Sequence, residues 1–418
     1  MTILELDDAE HVVIINRWAE RYADFSRYVD HRAHRVTYVS TEVGLSSIPA
    51  EATEVVTVAA TDDLAEVGAA VDGLARRHGA PDRVVALKED DLLVGAALRE
   101  KWGVPGLTVD QLLPFRDKFL MVSRVVEAGL AVPSFALVCS AGAVQAFGEH
   151  VGWPVIVKPT IGSSSAGVVR LDGPHGLSGL SFAEGPLLAQ EFNPHQIYHV
   201  DGVFTGEKLQ VVRASRYLNN CLEFRSGGTL GSVEESDPAV TEVIAEFALQ
   251  VMRVLSDQAL VFHLEVFLDA DTGTCTFLEV GARVGGAEIP LLWQEVHGHD
   301  LMEVAFRIQL GLPIDEEAPQ ISDEVAGWLL VPAPAHRPCR ITEITPMVGR
   351  RPGPYAEVLL TAGEVLPDAD SYYEHVGGRF RFRGASSCEV ESAIRAVGAD
   401  FRVRGEPVEG AGAGAGAE

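Results

Sequence analysis

Residues 155–171 read VIVKPTIGSSSAGVVRL: a lysine closes an apolar run, a stretch rich in glycine, serine and alanine follows, and then β-branched residues resume. A hairpin loop built from Gly162, Ser163, Ser164, Ser165 and Gly167 can turn several backbone N–H groups and hydroxyls toward one point, because small side chains let an anion approach the main chain. Lys158, just before it, adds a point charge. Together they suit a phosphate, although a Gly/Ser-rich hairpin beside a lysine is also an ordinary surface loop. It is not a Walker loop, since no G-K-[ST] opens a helix.

A second constellation lies in VFHLEVFLDADTGTCTFLEVGARVGG, two strand-like runs around a turn at residues 269–273. If the strands pair about that turn, Glu265 and Glu279 converge. Two carboxylates within an apolar hairpin are costly unless a cation or lysines neutralise them, and oxygen ligation of Mg²⁺ is the economical explanation. Arg283 then leads into Gly285 and Gly286, a basic fork beside a close-approach backbone. A structural ion pair between Glu265 and Arg283 is the competing account. His263 shares a strand face with Glu265 and is a candidate acid/base group. His199 is a candidate near the nucleotide or an edge-strand histidine. In residues 215–232, a strand running into a Gly-rich loop, Arg216 or Arg225 is a candidate carboxylate grip. Trp293 reads as core.

These residues need elements to hold them. HVVIIN, RVTYVS, EVVTVAA and DRVVALKE are short β-branched runs of the kind a buried parallel sheet requires, and DDLAEVGAAVDGLARRHG between the last two has helical spacing. No G-x-G-x-x-G follows the first run. Residues 1–113 are therefore expected to form an open parallel β/α domain. Residues 114–193 read as a small α+β unit carrying the Gly/Ser loop, and residues 194–405 as a larger α/β portion. The Gly/Ala-rich residues 406–418 are expected to be a disordered tail.

The 418 residues, 47% apolar, suffice for a large core divided among two or three domains. A net charge of −27 opposes general attraction to nucleic acid or anionic lipid, so any bound anion must be held locally. No apolar run approaches the ~18 residues of a membrane span, and the acidic start MTILELDDAE is unlike a signal peptide. A cytoplasmic protein is expected. Five widely spaced cysteines suit neither a disulfide framework nor a C-x-x-C metal site.

In order along the chain, RDK (116–118), VIVKP (155–159), GSSSAGV (162–168), QEF (190–192), HVDG (199–202), HLE (263–265) and LEVGARVGG (278–286) resemble the ATP-grasp superfamily of carboxylate ligases, in look its bacterial L-amino acid ligase branch. The resemblance implies an ATP-grasp α/β architecture in which the small lid and the large domain clamp ATP. It implies that Lys118 and Lys158 contact phosphates, that the Gly162–Gly167 loop closes over them, and that Gln190, Glu191 and Phe192 meet adenine, with His199 nearby. Glu265 and Glu279 would hold Mg²⁺, with Mn²⁺ an alternative. Arg283, with Gly285, Gly286 and Arg216, would bind substrate, and Arg283 and His263 would take part in catalysis. The family pattern E-x-N-x-R has Gly281 at the asparagine here, which leaves open whether one or two ions bind. The implied reaction joins a small carboxylic acid, an amino acid in this branch, to an amine through an acyl phosphate. Transfer to a carrier-protein or CoA thiol, or nucleotide binding without catalysis, are the alternatives. A homodimer is compatible with the resemblance; nucleic-acid and membrane partners are not expected.

Overall fold

The computed structural model describes residues 9–19, 22–219, 221–225, 227–314, 317–367 and 376–408. Four strands, β1 (His11–Asn16), β2 (Arg35–Ser40), β3 (Glu54–Thr57) and β4 (Arg83–Ala86), form the expected parallel sheet in the order β3-β2-β1-β4. The predicted third strand is shorter than its apolar run, ending at Thr57. Helix Leu64–His78 covers one face, started by Asp63, whose side chain accepts from the N–H groups of Ala65 and Glu66. Its buried Val67, Val71 and Leu74 recur at helical spacing against Val13, Ile15 and Val84. The opposite face packs on helix Leu301–Gln309 through Tyr28, Tyr38 and Phe306. That helix also fastens the sheet's edge: Gln309 accepts from the Ala86 N–H (2.8 Å) and donates to the Ala86 carbonyl (2.7 Å).

The small unit is a four-stranded antiparallel sheet of β5 (Phe135–Val138), β6 (Val155–Pro159), β7 (Val169–Leu171) and β8 (Leu187–Glu191), in the order β5-β8-β6-β7. The Gly/Ser loop is the β6–β7 hairpin connection, and helix Ala141–Val151 backs the sheet.

The remaining strands are β9 (Gln196–Thr205), β10 (Leu209–Tyr217), β11 (Leu230–Glu234), β12 (Ala259–Asp269), β13 (Thr274–Gly281), β14 (Val325–Pro332), β15 (Cys339–Ile344), β16 (Ala356–Leu359), β17 (Val365–Leu366), β18 (Val376–Gly384) and β19 (Val403–Pro407). Eight of them make an antiparallel sheet ordered β13-β12-β9-β10-β11-β14-β18-β16, and β15, β17 and β19 make a separate three-stranded sheet. Helices Pro238–Leu255 and Lys118–Glu127 bury one face of the large sheet, with Val251, Met252, Met121 and Val125 against Phe262, Leu264 and Phe277. By strand alternation, the opposite face near β12 carries His263 and Glu265.

The expected tail boundary needs correction. Glu406 and Pro407 belong to β19 and pair with β15, because the main chain there completes a sheet edge; residues 409–418 of the predicted tail lie outside the described residues. None of the five cysteines forms a disulfide. Among the described residues no helix is long and apolar enough to cross a membrane.

Candidate active site

Between the small sheet and the large one lies a cleft of about 710 Å³. Its floor is set by register. In the antiparallel pairing Glu265 stands directly opposite Glu279, and His199 of β9 stands on the other side of Glu265. Both predicted carboxylates therefore share one row and one face, and a β-bulge sets this: the register at the turn, Asp269 opposite Thr274, would place Leu278 opposite Glu265, but the shift between Glu265 and Val266 brings Glu279 there instead.

Cations come to this row from two other elements. Lys158 ends β6, and Lys118 opens the helix capped by Asp117, whose side chain accepts from the Leu120 N–H. The two ammonium groups each stand 3.9 Å from the same Glu279 oxygen. Lys158 is only 4% exposed, and burial holds its pKa below the ordinary lysine range while Glu279 opposes the shift. Lys118 also donates to the Gly162 carbonyl at 2.8 Å, tying it to the loop. Ser164 and Ser165 adopt left-handed φ of 53° and 55°, and Gly167 follows at 69°. Such a run turns successive N–H groups inward at the cost of strain in the two serines. At the far end, Gln190, Glu191 and Phe192 line the cleft; the buried Gln190 side-chain N–H has no acceptor among the described residues, and Arg170 stacks over Phe192 at 4.5 Å. Glu191 accepts from Ser134.

Arg283 does not pair with Glu265. Its Nε and Nη2 both lie 2.7 Å from one oxygen of Glu89, and Arg116 holds the other Glu89 oxygen at 2.7 Å and Asp90 at 2.8 Å. Burial raises the Glu89 carboxyl, but the two guanidinium groups prevail and bring it down to about 2. Asp90 also accepts from Ser163 of the loop at 3.2 Å. Sequence reasoning missed this acidic turn. Its signal was the run Lys88-Glu89-Asp90-Asp91 at the carboxyl end of a parallel strand, where open α/β sheets bind ligands.

Beside Glu265 on the same sheet face, Asp201 accepts from both His199 (2.6 Å) and His263 (2.8 Å), and His199 reaches Ser232 at 2.7 Å. His263 is 3.7 Å from Glu265, which accepts from Tyr217 at 3.0 Å. His199, Asp201 and His263 have the composition of a metal trio, but their facing atoms are already spent on one another. Burial lowers the His263 pKa, and Asp201 overrides it, raising it to about 9. With an unfolded value near 6.5, that gain is complete below pH ~6.5 and disappears as pH rises through 9. We expect unfolding free energy to fall by about 3 kcal/mol over that window, measured by chemical denaturation across pH. A flat profile, or an equal slope in His263→Gln, would reject this assignment.

Two expectations fail on geometry. His199 is neither at a sheet edge nor in the cleft lining: β9 is flanked by β12 and β10, and the imidazole, on the same face as Glu265, is 2% exposed. Arg216 alternates with the floor-facing Tyr217, so it projects from the other face and binds Glu391 of helix Ser387–Asp400 at 2.6 Å. The Arg225 side chain lies outside the described residues. Trp293 is core, as expected. Gly285 packs so closely that a Cβ would come within 2.4 Å of Asp201, whereas Gly286 faces open space. A Cβ at Gly281 would meet Arg283 at 3.4 Å and Glu89 at 3.8 Å, so that position borders the Arg283–Glu89 pair.

No protein-family model matches the chain. Among solved structures, the L-amino acid ligase from Bacillus licheniformis superposes with a TM-score of 0.74 over 96% of this chain and 99% of that one, at 19% identity. The chain has the ATP-grasp fold. The biotin carboxylase domain of the Hydrogenobacter thermophilus 2-oxoglutarate carboxylase, solved with MgADP, ADP and bicarbonate, matches this ATP-grasp chain with a TM-score of 0.68 over 96% of it and 92% of that chain, at 14% identity. A curated relative, the L-arginine-specific L-amino acid ligase of Bacillus subtilis, is 25% identical over 243 residues, 55% of this chain. The match spans 58% of that relative's length. In ATP-grasp terms, the small sheet with its Gly/Ser loop and the β12–β13 floor are the two halves of the cleft.

Proposed function

We propose that the protein is an ATP- and Mg²⁺-dependent carboxylate–amine ligase acting on a small acid, an amino acid in the first instance, with release of ADP and phosphate. The observation that carries this is the floor itself: two opposed carboxylates, two lysines sharing one of them, and a strained small-residue loop tied to one lysine. The residues fit a nucleotide. Lys118, Lys158 and the loop suit phosphates, and the unsatisfied Gln190 N–H beside Phe192 suits the acceptor edge of a base. Glu265 and Glu279 would hold the metal, which when bound would neutralise phosphate charge; Gly281 adds no ligand.

In this reading, a substrate carboxylate attacks the γ-phosphate, giving an acyl phosphate and ADP, and the amine then displaces phosphate. Little covalent work falls to the protein, so positioning and charge stabilisation dominate. Arg283, a permanently charged planar donor, orients the carboxylate and offsets charge on the tetrahedral intermediate. Glu89 holds the guanidinium in place. The His263 imidazolium keeps a proton at Nε2 toward Glu265, biasing that carboxylate to its charged form. The small sheet is the natural cover against hydrolysis of the acyl phosphate.

The test is ADP release with Mg·ATP and hydroxylamine across a panel of amino and small organic acids, with hydroxamate scored by mass. A hydroxamate dependent on one acid is expected. Tight ATP binding without turnover on any acid would refute the ligase reading.

A further inference from the structure

The planar fork of Arg283 can address a substrate only if its own main chain is held still, and the chain just after it is under constraint. A Cβ on Gly285 would come within 2.4 Å of Asp201, 2.7 Å of Ile289 and 3.0 Å of His263. Two residues later, Ala287 adopts a left-handed φ of 55°, a conformation that an L-residue keeps only where its surroundings over-determine it. The next residue is Glu288, whose side chain is completely buried.

A buried carboxylate in a turn needs a counter-charge. Strand β18 supplies two: Arg381 donates to one Glu288 oxygen at 2.8 Å, and Arg379 stands 3.6 Å from the other. The Arg381 Nε forms a further ion pair with Glu295 at 2.9 Å, and Glu295 accepts from Tyr355 at 2.9 Å. Glu288 and Glu295 bracket the helix Ile289–Glu295 and lie about two helical turns apart on one face, so a single guanidinium grips both ends of it. Arg381 stands opposite Trp328 of β14, Trp328 meets Tyr217 edge-on with ring centroids 6.4 Å apart, and Tyr217 donates to Glu265 at 3.0 Å. The sheet that carries one floor carboxylate therefore also anchors the turn behind Arg283. Desolvation offsets most of the attraction within a buried ion pair, so such a pair adds little net stability. Its place beside a strained turn accords with orientation instead.

We propose that Glu288 is a positioning residue for Arg283: clamped by Arg381 and Arg379, it fixes the strained turn at residues 284–288 and so sets where the Arg283 fork stands relative to the Glu265–Glu279 floor. The inference rests on the proposed ligase activity, in which that fork orients the carboxylate.

The test is a double-substitution cycle read by hydroxamate formation, with thermal midpoints recorded for every variant. Glu288→Gln should lower kcat by about 10- to 100-fold and leave the KM for ATP within about two-fold, because Lys118, Lys158 and the Gly/Ser loop are untouched. Glu288→Asp should recover most of that loss. Added to Arg283→Lys, Glu288→Gln should cost less than about three-fold more, since the fork it positions is already gone. A kcat within about two-fold of the wild type in Glu288→Gln, or the same factor lost in both backgrounds, would overturn the assignment. If Glu288→Gln does not fold, Arg381→Lys, which keeps the charge and loses the fork, is read against the same outcomes. Should the wild type form no hydroxamate with any acid, the ligase reading fails by itself. The positioning role is then decided by hydrogen exchange at the Arg283 Nε–H, followed by NMR against that of Arg99, which donates to the Leu107 carbonyl at 3.1 Å. Exchange at Arg283 at least ~10-fold faster in Glu288→Gln, with Arg99 unchanged, is the expected result. Equal exchange at Arg283 in both proteins overturns it.

Discussion

Glu279→Gln is expected to lower ADP release by on the order of 10³-fold while leaving the fold intact. Three elements place their charges on this carboxylate: it pairs in register with Glu265, and Lys118 and Lys158 stand at 3.9 Å. The substitution is nearly isosteric but cannot ligate a cation as a carboxylate does, and it strips buried Lys158 of its nearest counter-charge. Because the Glu279 side chain is 40% exposed, stability should scarcely change. The informative comparison is turnover against thermal midpoint. Turnover within tenfold of wild type at saturating Mg²⁺ would remove Glu279 from the metal site and undermine the ligase reading, whereas a collapse of both quantities would mark it as structural.

The second large effect is expected at Arg283. Lysine there keeps the charge but loses the planar fork that lets Nε and Nη2 address one Glu89 oxygen together, so Arg283→Lys should cost about 10²- to 10³-fold in kcat. Glu89 would retain Arg116, so the acidic turn should stay in place and folding should be preserved. A loss confined to KM would instead mean that Arg283 only binds substrate, with no added role once the carboxylate has been phosphorylated.

The hairpin that carries the floor of the cleft was legible from two local signals. The apolar alternation and the turn at residues 269–273 show that two strands pair as a hairpin, but the β-bulge between Glu265 and Val266 that brings Glu265 opposite Glu279, where the turn register alone would have put Leu278, carries no local signal. The Gly/Ser loop and its lysine were legible for the same reason, since both sit within one hairpin. Arg216 was offered as a carboxylate grip without a face, and strand alternation turns it away from Tyr217 and onto Glu391. His199 was misread because its burial depends on β10 and β12 flanking β9, a long-range pairing that no local pattern announces. Glu89 and Asp201 are partners chosen by tertiary structure: Arg283 meets Glu89 across 194 positions, and His263 meets Asp201 across 62. The parallel sheet was foreseen from β-branched runs, but the eight-stranded order of the large sheet was not.

The amide of Gln309 presents one donor and one acceptor to the backbone of Ala86, the pattern that a fifth strand would present. An open strand edge is a template on which another chain can crystallise its own backbone, and parallel sheets offer such an edge at each side. A single side chain of helix Leu301–Gln309 thus occupies the main-chain donor and acceptor of Ala86 at the β4 edge. Packing of helix Leu301–Gln309 on β4 therefore covers main-chain groups at the edge of the parallel sheet, on the same strand whose following turn carries Glu89 to Arg283.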